Sequence, residues 1–180
     1  MAESIINQTP LFDLRAELKI SATPDEVYSL VSDMPRTPEW SREIIDGEWV
    51  SGSPAQVGAI FRGHNYREDD IVSWAPVPRG GWYTEAKIVA VEPGRTFRWK
   101  LLTHTREGQD SNWGYDMDPA PDGCLVAHHF KMTKATEGVL RIVATLDEAG
   151  RKRFVADWTV KLKDDMEETL RRIKKIVENQ

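Results

Sequence analysis

From Phe12 the apolar positions alternate with polar ones: Phe12, Leu14, Ala16, Leu18 and Ile20 against Asp13, Arg15, Glu17 and Lys19. A period of two predicts a half-buried β-strand. At the far end of the chain the period changes. Phe154, Trp158, Leu162, Met166, Leu170, Ile173 and Val177 recur every three or four residues, which predicts one helix over 150–178 with a single apolar stripe. Its other face carries Glu167 and Glu168 four residues ahead of Arg171 and Arg172, a favourable pairing, and Asp147 and Glu148 precede its start. So long a stripe needs a large apolar partner. A coiled coil is excluded because no heptad pattern continues upstream, where the chain turns strand-like; a sheet curved around the helix fits.

Between these ends the pattern is short and punctuated. Thr23-Pro24-Asp25-Glu26 offers an N-cap, a proline at the first helical position and a glutamate three residues after the cap, so a short helix is predicted from there to before Pro35. Residues 35–42 read as a turn or second short helix anchored by Trp40. Strand patterns follow at 44–51, 57–65, 82–91, 96–104, 111–117 and 124–133, divided by turn residues, which predicts antiparallel hairpins. Two connections are irregular. Residues 66–81 are too long for a hairpin and contain Trp74 followed by Pro76, Pro78, Gly80 and Gly81, so they are expected to cover something. Residues 134–149 carry Val139, Leu140, Ile142, Val143 and Leu146, too apolar for a free loop, and are expected to form a short helix at a cavity mouth. The expected fold is α+β: a curved antiparallel sheet of about seven strands around a long C-terminal helix, with two short helices after the first strand, in one domain over residues 1–180 with a loose lead-in over 1–10.

Composition and charge narrow the functions. The net charge is −5, and the basic residues of the last helix alternate with acids, so no nucleic-acid partner is expected. Cys124 is the only cysteine, which rules out an intrachain disulfide and makes the cytoplasm the default location. No apolar stretch is long enough to span a membrane, and the N-terminus has no signal-peptide pattern. Seven tryptophans suggest that some line a cavity rather than fill a core. Zinc-ligand spacing, a phosphate-binding glycine loop and a Gly-x-Ser-x-Gly elbow are all missing, so neither a metal nor another cofactor is expected. Nothing in the sequence bears on the oligomeric state.

The stretch Ile20–Tyr28, the following Asp33-Met34-Pro35 to Glu39-Trp40, Val57–Asn65 and the terminal amphipathic helix, in that order, resemble the START-like helix-grip superfamily, also called SRPBCC. The first and third stretches are similar to its polyketide cyclase/dehydrase branch. The resemblance covers about residues 12–178 and implies a cavity between sheet and terminal helix for a hydrophobic small molecule.

Strand phase then selects candidates for that cavity. In the last strand Cys124, Val126, His128, Phe130 and Met132 share the inner face, and His129 faces solvent. Trp113, Tyr115 and Met117 form one face of their strand; Phe97, Trp99 and Leu101 point inward from theirs. Leu101-Leu102 hints at a bulge that leaves His104 ambiguous. In residues 57–65, Phe61, Gly63 and Asn65 are assigned inward; the opposite phase would bring in Arg62 and His64. Three readings follow. In the first, a cofactor-free cyclase or dehydratase acts on a polyketide-like or aromatic substrate, with His128 as base and Tyr115 and Asn65 as donors to an enolate oxygen. Phe61, Trp99, Trp113, Phe130, Met132, Trp74, Trp158 and Leu162 line its ligand site. In the second, the same cavity only holds or carries a lipid-like ligand. In the third, aromatic side chains fill the cavity of an interaction protein.

Overall fold

The computed structural model describes residues 5–7 and 10–180. Most of the expected lead-in lies outside the described residues; Ile5–Asn7 forms one 3-10 turn, and Ile6 packs on the core. The elements follow as β1 (Phe12–Ile20), α1 (Pro24–Ser32), a 3-10 helix (Met34–Glu39), β2 (Ile44–Ser51), β3 (Ile60–Arg67), β4 (Gly80–Glu92), β5 (Thr96–Leu102), β6 (Gly108–Ala120), β7 (Gly123–Met132), α2 (Glu137–Val143) and α3 (Glu148–Glu178).

The seven strands form one antiparallel sheet in the order β1-β7-β6-β5-β4-β3-β2. This is the helix-grip arrangement: β1 crosses to the far edge to pair with β7, and α3 packs on the concave face, mainly against β1. Phe154, Leu162, Met166, Leu170, Ile173 and Val177 are buried along the α3 stripe.

Local chemistry sets the ends. Thr23 accepts from the Glu26 backbone N–H, and the Glu26 carboxylate accepts from the Thr23 N–H, a complete capping box that starts α1 with Pro24 in its first turn. The Asp147 carboxylate accepts from the Gly150 N–H, so α3 begins at Glu148, two residues earlier than the pattern suggested. Glu168 takes both Arg171 and Arg172, at 3.0 and 2.9 Å, so the expected pair of Glu167 with Arg171 gives way to an i,i+3 contact.

Several strand limits shift. The third strand was expected over 57–65 but runs from Ile60 to Arg67. Gly58 adopts φ +92°, a conformation that interrupts the strand, while the Tyr66 N–H donates to the Glu43 carbonyl and carries pairing onward. β5 ends at Leu102 rather than His104, where the register with β6 slips between Lys100 and Leu102. His104 is left exposed, with Nδ1 3.1 Å from Glu137 at the start of α2.

Candidate functional site

The inner face of the sheet is built in cross-strand rows. Tyr115 stands opposite both His128 and Phe97; Trp113 stands opposite both Phe130 and Trp99. Side chains in such rows lie close enough to touch. The Trp113 and Phe130 rings stack with centroids 4.1 Å apart, and Tyr115 stacks on His128 at 4.4 Å.

A cavity of about 60 Å³ opens beside this aromatic layer. Its sheet side is Phe61 and Gly63 of β3, Thr84 and Ala86 of β4, Trp99 and Leu101 of β5, and Tyr115 of β6; the facing wall is Val31, Met34, Thr37 and Trp40, with Ile44 at the start of β2. Thr84, Trp99, Leu101 and Ile44 are only half-buried although they belong to this lining.

The position of this cavity corrects an expectation. It lies between the sheet and the α1 to 3-10 segment, not between the sheet and α3, because the α3 stripe fills the latter space. Leu162 is buried core, and Trp158 stacks on Phe154 with centroids 5.5 Å apart. Of the residues expected to line a ligand site, Phe61 and Trp99 do so; Trp113, Phe130, Met132, Trp158 and Leu162 are packed in the core or against it. Trp74 also lies away from the cavity. Its indole N–H donates to Asp157 at 2.8 Å, and the Arg153 guanidinium sits 4.3 Å over its ring. The connection from 68 to 79 is therefore fastened to α3, and neither it nor residues 136–148 contribute to the cavity lining.

The three expected catalytic residues are not brought to one point. Tyr115 borders the cavity, and burial raises its phenol above the ordinary value, with Trp40 partly opposing. His128 and Asn65 do not border it. The His128 Nδ1 lies 3.0 Å from the Gly114 carbonyl, which can only accept, so the neutral ring carries its proton there. Burial pushes the His128 imidazole down to about 4, against the effect of that hydrogen bond. Asn65 is buried, and its amide donates to the Thr84 hydroxyl at 3.0 Å. It acts as a support for a cavity residue.

His129 lies on the outer, convex face, as its strand phase predicts, but it is not open to solvent: Nε2 is buried, without a hydrogen-bond partner, and 3.4 Å from an Asp116 carboxylate oxygen that Arg98 also holds. Gly114 makes this possible: a Cβ there would come within 2.7 Å of His129 Cε1. Burial lowers the His129 pKa, with the Asp116 charge opposing.

A second polar feature escaped the sequence reading. Arg67 continues the inward series Phe61, Gly63, Asn65, and its side chain is 6% exposed. The guanidinium lies between the rings of Trp82 and Trp158, 4.4 and 4.9 Å from their centroids. It donates to both Glu43 carboxylate oxygens and to the Pro78 carbonyl. Lys161 joins Glu43 at 2.5 Å and Asp165 at 2.7 Å. Burial alone would raise the Glu43 carboxyl, but the Lys161 charge and the Arg67 hydrogen bonds hold it below the ordinary value. Period-two counting carried two residues further would have placed Arg67 inside.

Among the described residues no cluster of three or more His, Cys, Asp or Glu side chains is arranged to hold a metal ion, and no helix is long and apolar enough to cross a membrane.

The curved sheet gripping a long helix, with an apolar cavity on its concave side, defines a helix-grip protein of the START-like superfamily. The chain belongs to the polyketide cyclase/dehydrase and lipid transport family, whose model matches residues 12–178. No curated protein sequence matches it at a significant level. Among solved structures it is similar to the Polyketide_cyc-like protein Cgl2372 from Corynebacterium glutamicum, with 24% identity over 92% of this chain and 91% of that one, and a TM-score of 0.62. It also resembles the Zhui aromatase/cyclase from Streptomyces sp. R1128, with 12% identity over 93% of both chains and a TM-score of 0.61. Ara h 8.0201 shares 14% identity over 94% of this chain and 99% of its own, with a TM-score of 0.57. At these identities the likeness is one of fold.

Proposed function

We propose that the protein binds an apolar, aromatic or polyketide-like small molecule in the cavity between the sheet and the α1 to 3-10 segment, and holds it without acid–base chemistry. The observation that carries this reading is the lining itself. It supplies aromatic and aliphatic walls, with Thr37, Thr84, Tyr115 and Trp40 as neutral polar groups, and no side chain that accepts a proton near neutral pH. Ring closure by aldol chemistry needs a base whose pKa lies near the working pH. His128, at about 4 and off the cavity, does not meet that need.

The cavity of about 60 Å³ holds water or a fragment, whereas a benzene-sized guest occupies a cavity of about 150 Å³. Binding a larger ligand therefore requires the wall carrying Val31, Met34 and Thr37 to move outward from the sheet. This wall is the short-helix side of the cavity and is the part free to shift without breaking strand pairing.

The family match favours a second reading, a cyclase or dehydratase. In it the Tyr115 phenol, kept protonated by burial, donates to a developing enolate oxygen, and the walls fold the substrate. Native mass spectrometry with extraction of retained compounds tests the binding reading, together with quenching of tryptophan fluorescence by a naphthalene dye. Ala86→Phe, which fills the cavity, should abolish both signals. Equal dye binding by Ala86→Phe and the parent protein would remove this cavity from the function. Turnover of an extracted compound, lost in Tyr115→Phe, would establish the second reading.

A further inference from the structure

We infer that the buried cation pair Arg67–Lys161 is a carboxylate cradle, now occupied by the protein's own Glu43, and that the ligand is an apolar carboxylic acid whose head group takes the place of Glu43. The identity of the apolar body rests on the binding function proposed above; the cradle stands on its own geometry.

Arg67 and Lys161 are 6% and 11% exposed, whereas the Glu43 side chain that joins them is 24% exposed. Two cations this deep require an anion, since burying a charge unpaired is costly. Glu43 supplies it as the most accessible member of the group. Its ladder contact is made by the backbone carbonyl, which accepts from the Tyr66 N–H, so the side chain can turn away while that bond stays. The Arg67 fork already binds a carboxylate through two nitrogens, at 2.8 and 3.1 Å, the geometry a foreign carboxylate would adopt. Trp82 and Trp158 hold the guanidinium plane in place from both sides. Asp165 stays on Lys161 and Arg42, so it does not replace Glu43 when that side chain leaves.

The cradle lies on the same face as the apolar cavity. Gly63 borders the cavity and Arg67 stands four residues further along the inner side of β3, about 13 Å at the strand rise of about 3.3 Å per residue. Glu43 directly precedes Ile44, which lines the cavity. An acid with its apolar body against Gly63 and Ile44 and its carboxylate on Arg67 spans this distance past Asn65.

Chemical rescue tests the cradle. In Glu43→Ala Arg67 loses its carboxylate and Lys161 keeps only Asp165, so sodium acetate should raise the melting temperature of the variant relative to equal sodium chloride, with no such difference for the parent. Glu43→Gln, closer in size, serves if the alanine variant folds poorly. No acetate-specific rise in either variant overturns the cradle. The ligand class is read with 2-naphthoate and its neutral counterpart 2-naphthalenemethanol. The parent should prefer the acid at least about tenfold, Glu43→Gln should widen that preference, and Lys161→Met should erase it. Equal binding of both probes by the parent and by Glu43→Gln overturns the acid assignment but leaves the cavity reading intact. Acetate rescue with no binding of either probe overturns the cavity reading and the acid assignment together, and leaves only the cradle.

Discussion

The His128 imidazole lies face to face with the Tyr115 ring, with planes 15° apart and centroids separated by 4.4 Å. The two residues are direct cross-strand partners on the inner sides of β6 and β7. The stack places Tyr115 at the cavity and His128 in the layer beside it, so the phenol rather than the imidazole is the polar group a ligand meets.

That burial makes His128 a source of acid sensitivity. Its pKa falls from 6.5 to about 4 on folding. Between those values the unfolded chain takes up a proton that the native chain refuses, so stability is present above 6.5 and declines as pH falls toward 4. The full effect is about 3 kcal/mol. Urea melts at pH 7 and pH 4 should show His128→Gln losing less stability on acidification than the parent by an amount of that order. An equal loss in both proteins would mean that His128 is not buried neutral. His129 acts in the same direction, since burial lowers it too, and so His129→Gln is not an inert control.

Gly63 and Gly47 should respond oppositely to a methyl group. At Gly63 an added Cβ meets only ordinary contacts, at 3.6 Å from Ile44 Cδ1 and Thr84 Oγ1. At Gly47 it overlaps the Phe61 ring and comes within 2.9 Å of the Arg62 carbonyl oxygen. Gly63→Ala should change stability by less than about 1 kcal/mol while narrowing the cavity, and Gly47→Ala should cost about 1–3 kcal/mol through overpacking. Thermal melts of both variants, with dye binding for the first, decide this.

The grip of sheet on helix has a direct probe in Leu170, which is 1% exposed on the α3 stripe. Leu170→Ala should cost about 2–5 kcal/mol, the range for emptying a packed leucine site. A change under about half a kcal/mol by denaturant unfolding, the size of an ordinary surface substitution, would show that the stripe does not carry the core.

Arg79 ties together the connection over 68–79 by donating to the carbonyls of Glu68, Ile71, Val72 and Ala75. Arg79→Met keeps the stem and removes all four bonds. Limited proteolysis with elastase should then cut this connection faster than in the parent, with the rest of the chain protected. Trp74→Phe, which removes the hydrogen bond to Asp157, should shift cleavage in the same direction by a smaller factor. Unchanged cleavage in both variants would show that the segment is held by its buried Ala75 and Val77 instead.

Periodicity and local chemistry alone determined the element order, the capping box at Thr23–Glu26, the α3 stripe and the inward side of β7. Each depends on residues within a turn or two of one another, so Val126, His128 and Phe130 declare their common face without reference to any partner. The inward position of Phe61 and Asn65 is also a matter of phase within one strand. What the ends of elements do is less local: β3 continues to Arg67 because the Glu43 carbonyl accepts from Tyr66, and a charged inward residue is tolerable only with Glu43, Lys161 and two tryptophans around it. The site depended still more on tertiary structure. Whether space remains between sheet and helix is a question of how side chains from separate elements fill a volume. Phe154, Trp158 and Leu162 fill it near α3, while Gly63 and Ala86 leave it open facing the 3-10 segment. The basicity of His128 was decided in the same way: the strand pattern places the ring inside, but the surrounding aromatic layer and the Gly114 carbonyl set its proton and its pKa.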